Sequence, residues 1–331
     1  MLNTYNPVFN RAYDEIIRKL DICGVIPLIK IDDAKNALPM AGALIGADIT
    51  AIEITFRTSC AGEVIKTISA KCPNIIIGAG TVITVKQVHE AVNAGAKYIV
   101  TPSFNAEVVD RCIELGVPVF PGCSTATDID HAFSRGLRVV KFFPSELLGG
   151  VKMIRALSAA YPFMRFIPTG GINLSNLSEY LSFNKVLCCA GTFIASEKDL
   201  DEHNFAEIAR IARSAVDVVM SLSLDHVALN VDPTYAKEMM KSLSQLAGVN
   251  YDPNNVAVMG VEAVADSHRQ SIGHLVYTSP NIERCVYYLK NRGFYPDETS
   301  IVKENNRINE VFLLSKFGNF EIKIVRKLNH E

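Results

Sequence analysis

The chain has 331 residues, of which 49% are hydrophobic and 21% are charged, a balance that indicates a folded globular protein and excludes disordered, collagen-like and coiled-coil chains. Its 33 Lys and Arg residues face 35 Asp and Glu residues, so no cationic excess is present to bind a nucleic-acid backbone. There is no apolar run near the ~18 residues of a membrane span and no secretory signal, so we expect a cytoplasmic protein without nucleic-acid or membrane partners. The eight cysteines lack metal-site or disulfide spacing and are expected to be buried.

One pattern recurs between residues 24 and 193: a short β-branched run ends in Gly, Pro, Ser or Thr, and a segment with helical periodicity follows. The predicted strands cover residues 24–31, 49–56, 75–82, 98–103, 117–123, 139–145, 165–170 and 186–193. Eight alternating units of this kind predict an α/β fold, a closed (β/α)8 TIM barrel with an extra helix over residues 5–20. A doubly wound parallel sheet is the alternative.

The pattern changes after a last predicted helix at residues 205–220. Residues 225–231 read DHVALNV and residues 273–279 read GHLVYTS, and each segment precedes a predicted helix that is followed by glycine. This spacing of 48 residues between His226 and His274 indicates a duplicated unit. We therefore predict two domains, a barrel over residues 1–221 and a smaller α+β domain over residues 222–331.

The second predicted strand carries charged side chains on one face. Because side chains alternate along a strand, Glu53, Thr55 and Arg57 share a face. A carboxylate and a guanidinium inside a barrel must be paired, hydrated at its mouth or used in chemistry. A structural ion pair is the alternative interpretation.

Lys141 lies in the sixth predicted strand among apolar residues. Burial and a neighbouring cation such as Arg57 lower the pKa of a lysine, and the neutral amine can attack a ketone to give a Schiff base. The alternative is a lysine whose ammonium group reaches solvent along the strand end.

Two glycine turns follow the seventh and eighth predicted strands, PTGGI at residues 168–172 and AGT at residues 190–192. Barrels often bind phosphate at this place, because backbone N–H groups can approach an anion there. Either turn alone is ordinary turn chemistry, but the pair predicts a phosphate site.

Several segments together resemble the 2-keto-3-deoxy-6-phosphogluconate (KDPG) aldolases, which also act as 4-hydroxy-2-oxoglutarate (KHG) aldolases. The resemblance spans residues 24–215 and is carried, in family order, by EITFRT at 53–58, GAGTV at 78–82, FPGCST at 120–125, KFFP at 141–144 with glycines at 149 and 150, and PTGGI at 168–172. It implies a barrel that is typically a trimer and that uses a Schiff-base lysine with no metal or other cofactor.

The same resemblance implies roles for individual residues. Lys141 would form the Schiff base and Glu53 would transfer protons. The implied substrate-binding residues are Arg57 and Thr81 at the pyruvate carboxylate, Pro102 in the loop after strand four, and Thr169, Gly170, Gly171, Gly191 and Thr192 around the phosphate. The chain has TPS at 101–103 and AGT at 190–192 where the family often has SPG and GGS. Substrate preference is therefore less well defined than the chemistry.

Residues 222–327 resemble the vicinal oxygen chelate modules of glyoxalase-like proteins, which are built from paired βαβββ units. In that family a divalent metal is held by His and Glu residues of equivalent strands, and the matching residues are His226, Glu262, His274 and Glu321. Against a metal, only the 18 residues 249–266 are available for three strands of the first unit. A strand-end histidine that caps or fills the core is the alternative.

These observations favour a class I aldolase that cleaves KDPG reversibly to pyruvate and glyceraldehyde 3-phosphate. The expected partner is a small phosphorylated 2-keto acid, and a homo-oligomer is implied. One alternative is cleavage of unphosphorylated 4-hydroxy-2-oxoglutarate to pyruvate and glyoxylate. The other is a metabolite-sensing protein in which the C-terminal module binds the ligand and the barrel is a scaffold.

Overall fold

A computed structural model describes residues 6–252, 257–265 and 271–327. The chain forms two compact units, Met1–Val219 and Met220–Glu331. Within the described ranges, no helix has both the length and the apolar character that crossing a membrane requires.

The first unit alternates strands and helices, as the sequence predicts. Its strands are β1 Val25–Ile29, β2 Ala51–Thr55, β3 Ile76–Gly80, β4 Tyr98–Val100, β5 Val119–Phe120, β6 Gly122–Cys123, β7 Val139–Phe142, β8 Arg165–Pro168 and β9 Cys189–Gly191. Its helices are α1 Pro7–Cys23, α2 Ala37–Ile45, α3 Ala61–Lys71, α4 Val85–Ala94, α5 Ala106–Glu114, α6 Ala126–Phe133, α7 Gly150–Ala160, α8 Leu177–Ser182, α9 Glu197–Asp201 and α10 Phe205–Met220.

Helix ends follow the local sequence. The Asn6 side chain accepts hydrogen bonds from the N–H groups of Val8 and Phe9, with Pro7 in the first turn, so α1 begins two residues later than predicted. Thr84 forms a capping box with Gln87 at the start of α4. Gly95 adopts a φ of 105° at the end of α4, a conformation that glycine tolerates best.

The strands of the first unit pair in parallel. Six form a sheet in the order β5-β4-β3-β2-β1-β9, and three form a second sheet in the order β6-β7-β8. Isolated parallel bridges join Phe166 to Val186 and Thr169 to Ala190, between the regions of β8 and β9. The fifth predicted strand is divided into β5 and β6 at Pro121, because proline has no N–H to donate to the ladder.

The interior of the first unit is almost entirely apolar. Every residue of β1, β2, β4 and β7 is buried, as expected for parallel strands covered on both faces. Five of the seven cysteines of this unit are buried as well, and burial raises the pKa of the Cys112 thiol to about 12. The three buried polar residues of these strands, Glu53, Thr55 and Lys141, are therefore exceptions that need an explanation.

The second unit is a mixed sheet with helices. Its elements are β10 Ser223–Val231, α11 Pro233–Ala247, β11 Val261–Ala265, β12 Gly273–Ser279, α12 Ile282–Asn291, β13 Val302–Glu304, β14 Arg307–Phe317 and β15 Phe320–Arg326. The strand order is β11-β10-β12-β15-β14-β13.

The two halves of the second unit are not equivalent. The second half, from β12 to β15, has the βαβββ order that the resemblance implies. The first half contains only β10, α11 and β11 among its described residues, with β11 parallel to β10. The prediction of a complete βαβββ unit in the first half falls partly on residues 253–256 and 266–270, which lie outside the described residues, so it stays a prediction.

Candidate active site

A carboxyl side chain and an amino side chain enter the interior of the first unit. Glu53 is on β2 and is 2% exposed, and Lys141 is on β7 and is 4% exposed. Glu53 lies opposite Gly78 of β3, and Lys141 lies between Gly122 of β6 and Ile167 of β8. Their places in β2 and β7, strands in which every residue is buried, keep both groups away from solvent.

The interior changes the proton affinity of both groups. Burial raises the pKa of the Glu53 carboxyl above its usual range, and the Lys141 and Arg57 cations oppose only part of the rise. Burial also lowers the pKa of the Lys141 ammonium, and Arg57 lowers it further while Glu53 opposes the change. Both shifts favour a neutral amine beside a carboxyl group that can hold or release a proton, as a proton-transferring nucleophilic site requires.

Glu53 has room only because the next strand carries glycine beside it. A Cβ atom at Gly80 would overlap the Glu53 carboxyl group. Within the described residues, the Oε1 atom of Glu53 is buried and has no hydrogen-bond partner. A buried acceptor left in this state costs about 1–3 kcal/mol, which indicates a group kept for a ligand or a proton.

Arg57 is held at the end of β2. Its Nε donates to Thr55 Oγ1 at 3.3 Å, and the same hydroxyl donates to the Ile29 carbonyl of β1 at 3.1 Å. At the end of β3, Thr81 has a φ of 55°, a left-handed conformation that is uncommon for a residue other than glycine. Such backbone strain is concentrated at functional sites.

A cavity of about 350 Å³ opens at this end of the strands. It is lined by all eight predicted substrate-binding residues, namely Arg57, Thr81, Pro102, Thr169, Gly170, Gly171, Gly191 and Thr192. Its size suits a small organic ligand. Pro102 is in a loop held by Thr101, whose hydroxyl donates to the Ser103 carbonyl at 2.6 Å.

Three further lining residues, Leu28, Phe143 and Ile172, were missed by the sequence interpretation. The Lys141 Nζ atom lies 5.1 Å from the centroid of the Phe143 ring, within the range of a cation–π contact. The position of Phe143 two residues after the lysine could have identified it, because alternate residues share a face. Leu28 carries no comparable indication in the sequence.

One part of the cavity wall is suited to an anion. We define the phosphate loop as residues 169–172, where Gly170 and Gly171 adopt φ angles of 93° and 82°. Within residues 6–252, the N–H groups of Gly171 and Ile172 donate to no other group of the protein. Free backbone N–H groups near a hydroxyl such as that of Thr192 are suitable donors for phosphate oxygens.

The predicted metal ligands of the second unit lie on one face of its sheet. Glu262 of β11 and His274 of β12 both pair with Ala228 of β10, and Glu321 of β15 pairs with His274. At about 4.8 Å per strand, Glu262 and Glu321 are roughly 14 Å apart along this row. In the described parts of the chain, no three His, Cys, Asp or Glu side chains are grouped closely enough to hold a metal ion.

His226, the fourth predicted ligand, contacts two carboxylates, one of which belongs to the predicted ligand Glu262. Its Nδ1 lies 2.7 Å from Asp225 Oδ2 and its Nε2 lies 3.0 Å from Glu262 Oε2. Glu321 Oε1 lies 3.4 Å from the Lys316 Nζ. The structure therefore brings two of the four predicted ligands together, His226 and Glu262, while Glu321 lies three strands away from Glu262. Within the described residues the four-residue metal site is not assembled.

Comparisons with known proteins decide the family of the first unit. The protein-family model described as KDPG and KHG aldolase matches residues 14–211, more than half of the chain. The chain belongs to this aldolase family. The KDPG and KHG aldolases are carbon–carbon lyases, and the chain is an enzyme of that class.

Individual relatives agree with this assignment. The 2-dehydro-3-deoxy-phosphogluconate aldolase of Treponema pallidum is 41% identical over 204 residues, 62% of this chain and 97% of the relative. The KDPG aldolase of Legionella pneumophila, solved with pyruvate captured as a covalent carbinolamine, is 35% identical, with a TM-score of 0.57, over 58% of this chain and 93% of that one.

A third aldolase from this family was solved with a phosphorylated compound. The KDPG aldolase of Zymomonas mobilis, with 3-phosphoglycerate, is 32% identical, with a TM-score of 0.56, over 60% of this chain and 94% of that one. Residues 212–331, which include the whole of the second unit, lie outside the range that the family matches.

Proposed function

We propose that the chain is a class I aldolase that cleaves KDPG reversibly to pyruvate and glyceraldehyde 3-phosphate. The observation that carries the proposal is a buried lysine of lowered pKa, Lys141, beside the buried Glu53, next to a cavity that Arg57 lines. The names of the relatives and the pyruvate adduct of the Legionella protein support the same reaction.

The proposed reaction begins at the C2 ketone of the substrate. The neutral amine of Lys141 attacks C2 to give a carbinolamine, which loses water to give an iminium ion. Glu53 takes the proton of the C4 hydroxyl as the C3–C4 bond breaks, the aldehyde leaves, and the electron pair of that bond forms an enamine. Protonation of C3 and hydrolysis then release pyruvate and regenerate Lys141.

Other residues position the substrate in this proposal. Arg57 and Thr81 bind the C1 carboxylate, and charge on Arg57 stabilises the reacting centre. The phosphate loop together with Gly191 and Thr192 binds the terminal phosphate, and Pro102 shapes the pocket for the aldehyde. Cleavage of unphosphorylated KHG at the same Lys141 is the second candidate, because the family described by the matching model includes both activities.

We further propose that the strands of the first unit close into a (β/α)8 barrel. The two bridges between the regions of β8 and β9, the pairing of β9 with β1, and the division of one strand into β5 and β6 support closure. The trimeric state and the cytoplasmic location stay predictions, and light scattering of the purified chain measures the former.

Reductive trapping tests the proposed nucleophile. Incubation with pyruvate and borohydride should modify Lys141 irreversibly, since a lysine of lowered pKa forms an imine near neutral pH. Peptide mapping locates the modified residue, and Lys141→Met supplies the unlabelled control. Modification at the exposed Lys152 instead, or at no residue, would contradict the proposal.

A further inference from the structure

The phosphate loop is fixed from two sides by groups that lie outside the cavity lining. On one side, the N–H of Ser145 donates to the Thr169 carbonyl at 2.7 Å, and the N–H of Glu146 donates to the Gly170 carbonyl at 3.1 Å. On the other side, the side-chain amides of Asn173 and Asn176 donate to the Gly171 carbonyl at 3.2 and 3.0 Å.

These contacts determine where the free N–H groups of the loop point. In a trans peptide, the N–H of one residue is opposed to the carbonyl of the residue before it. Because Glu146 binds the Gly170 carbonyl, the N–H of Gly171 points away from Glu146. Because the asparagine amides bind the Gly171 carbonyl, the N–H of Ile172 points away from them. Both N–H groups are thus left to an anion in the cavity.

The side chain of Glu146 lies against this loop. A Cβ atom at Gly171 would overlap its Cβ and Cγ atoms. The hydroxyl of Tyr180, on α8, donates to Glu146 Oε1, and the Tyr180 oxygen also lies 2.8 Å from Ser145 Oγ. Tyr180 is 1% exposed, and burial together with the Glu146 contact raises its pKa. The phenol therefore keeps its proton and stays a donor.

The contact matters because Glu146 is an exposed residue beside a proposed phosphate site. A carboxylate that is free to rotate toward a phosphate dianion would repel it. The hydrogen bond from Tyr180 restrains that carboxylate, and the Cβ and Cγ atoms of Glu146 pack against Gly171.

We propose that Tyr180 is a positioning residue that holds Glu146 against the phosphate loop and thereby sets the preference for a phosphorylated substrate. Tyr180 does not line the cavity and touches no substrate. The inference rests on the proposed aldolase function and its phosphate site.

The test compares KDPG with KHG, which lacks the phosphate. Tyr180→Phe should raise KM for KDPG about tenfold, the effect of one lost hydrogen bond to a charged group, while kcat for KDPG and kcat/KM for KHG stay within about twofold. Tyr161→Phe is the matched control, because it removes a tyrosine–carboxylate hydrogen bond, 2.9 Å to Asp130, elsewhere in the same unit. The control variant should leave KM and kcat unchanged for both substrates.

Two further variants separate positioning from general packing. In the Tyr180→Phe background, Glu146→Gln should restore most of the preference for KDPG, because it removes the repelling charge and keeps the carbon chain. Glu146→Asp keeps the charge but shortens the side chain, so it should reproduce the loss even if Tyr180→Phe fails to fold.

The outcomes distinguish this inference from the function on which it rests. If the wild-type chain prefers KDPG and the preference survives in Tyr180→Phe and in Glu146→Asp, the inference is wrong and the function stands. An equal loss for both substrates, without recovery by Glu146→Gln, also overturns it. If the wild-type chain cleaves neither substrate and forms no imine with pyruvate, the proposed function fails first.

Discussion

Each unit buries titratable side chains, and Glu53 of the first unit differs from His226 of the second in whether its polar atoms have hydrogen-bond partners. In the first unit, Glu53 has a buried oxygen without a partner within the described residues. In the second unit, both ring nitrogens of His226 are within hydrogen-bond distance of carboxylates. Their exposures are similar, 2% for Glu53 and 8% for His226. A free acceptor atom, rather than burial, therefore distinguishes Glu53 from His226.

The largest expected effect follows from removing the nucleophile. Lys141→Met keeps the length of the side chain but cannot form an imine, so pyruvate release should fall by about 10⁴-fold or more. The same change should raise the melting temperature, because it removes the cost of burying a basic amine whose folded-state pKa is lowered. A lactate dehydrogenase-coupled assay and a thermal melt measure the two effects. Lys152→Met, at an exposed site, is the control, and residual activity above a tenth of wild type contradicts the assignment.

A smaller loss is expected when proton transfer alone is removed. Glu53→Gln preserves shape but cannot exchange a proton, so turnover should fall by roughly 10²–10⁴-fold. Slow imine trapping with pyruvate should persist. The same substitution in the second unit, Glu262→Gln, should leave turnover within about twofold of wild type. Equal effects of the two variants on turnover would remove the distinction between the two units.

The pKa of Lys141 also predicts how stability changes with pH. Burial lowers the folded-state pKa below the ordinary value of 10.5, so the unfolded chain binds more protons between the two values and stability rises with pH in that interval. The stabilities of the chain with Lys141 and of its Lys141→Met variant are compared in the Glu53→Gln background, in which position 53 carries no titratable carboxyl group. There, the extra stability given by Lys141→Met should be greatest at low pH and shrink toward pH 10.5.

Urea unfolding at a series of pH values measures this difference. Lys152→Met in the same background is the control, because an exposed lysine has no burial to relieve. A difference between the Lys141 variants that does not change with pH would show that Lys141 titrates as an ordinary lysine.

The smallest effect on activity is expected in the second unit. His226→Ala should destabilise this unit by about 1–3 kcal/mol, since two carboxylates lose their imidazole partner, while pyruvate release should be unchanged. Urea unfolding measures the change in stability, and the coupled assay measures pyruvate release. EDTA should also leave turnover unchanged. Retention of about one zinc, nickel or manganese ion per chain, lost in His226→Ala, would restore the metal site that the geometry does not assemble.

Much of the first unit could be predicted from sequence, because its strands, turns and site residues are each indicated by a short stretch of neighbouring residues. A parallel strand buried on both faces gives a continuous apolar run, so a lysine or glutamate within it is conspicuous. The glycine turns and the family motifs then locate the cavity wall. Leu28 was missed because an apolar residue at the end of an apolar strand cannot be distinguished from core.

The second unit was predicted less completely, because its predicted site depends on contacts between residues that are far apart in the sequence. Whether His274 and Glu321 approach a common point depends on sheet curvature, which a strand pattern does not encode. The duplicated sequence around His226 indicated two similar units, but repetition of a strand and a helix does not require repetition of the remaining strands. The 18 residues 249–266 leave little length for three further strands.

Gly80 has a consequence for how this protein can change during evolution or engineering. A side chain at this position would collide with the Glu53 carboxyl, so a substitution of Gly80 would require a change at Glu53, the proposed proton-transferring group, as well. The cavity rim has no such constraint at Phe143 and Thr192, where side chains already project into open space. Changes in substrate range should therefore accumulate at the rim, while the chemistry of the interior is retained.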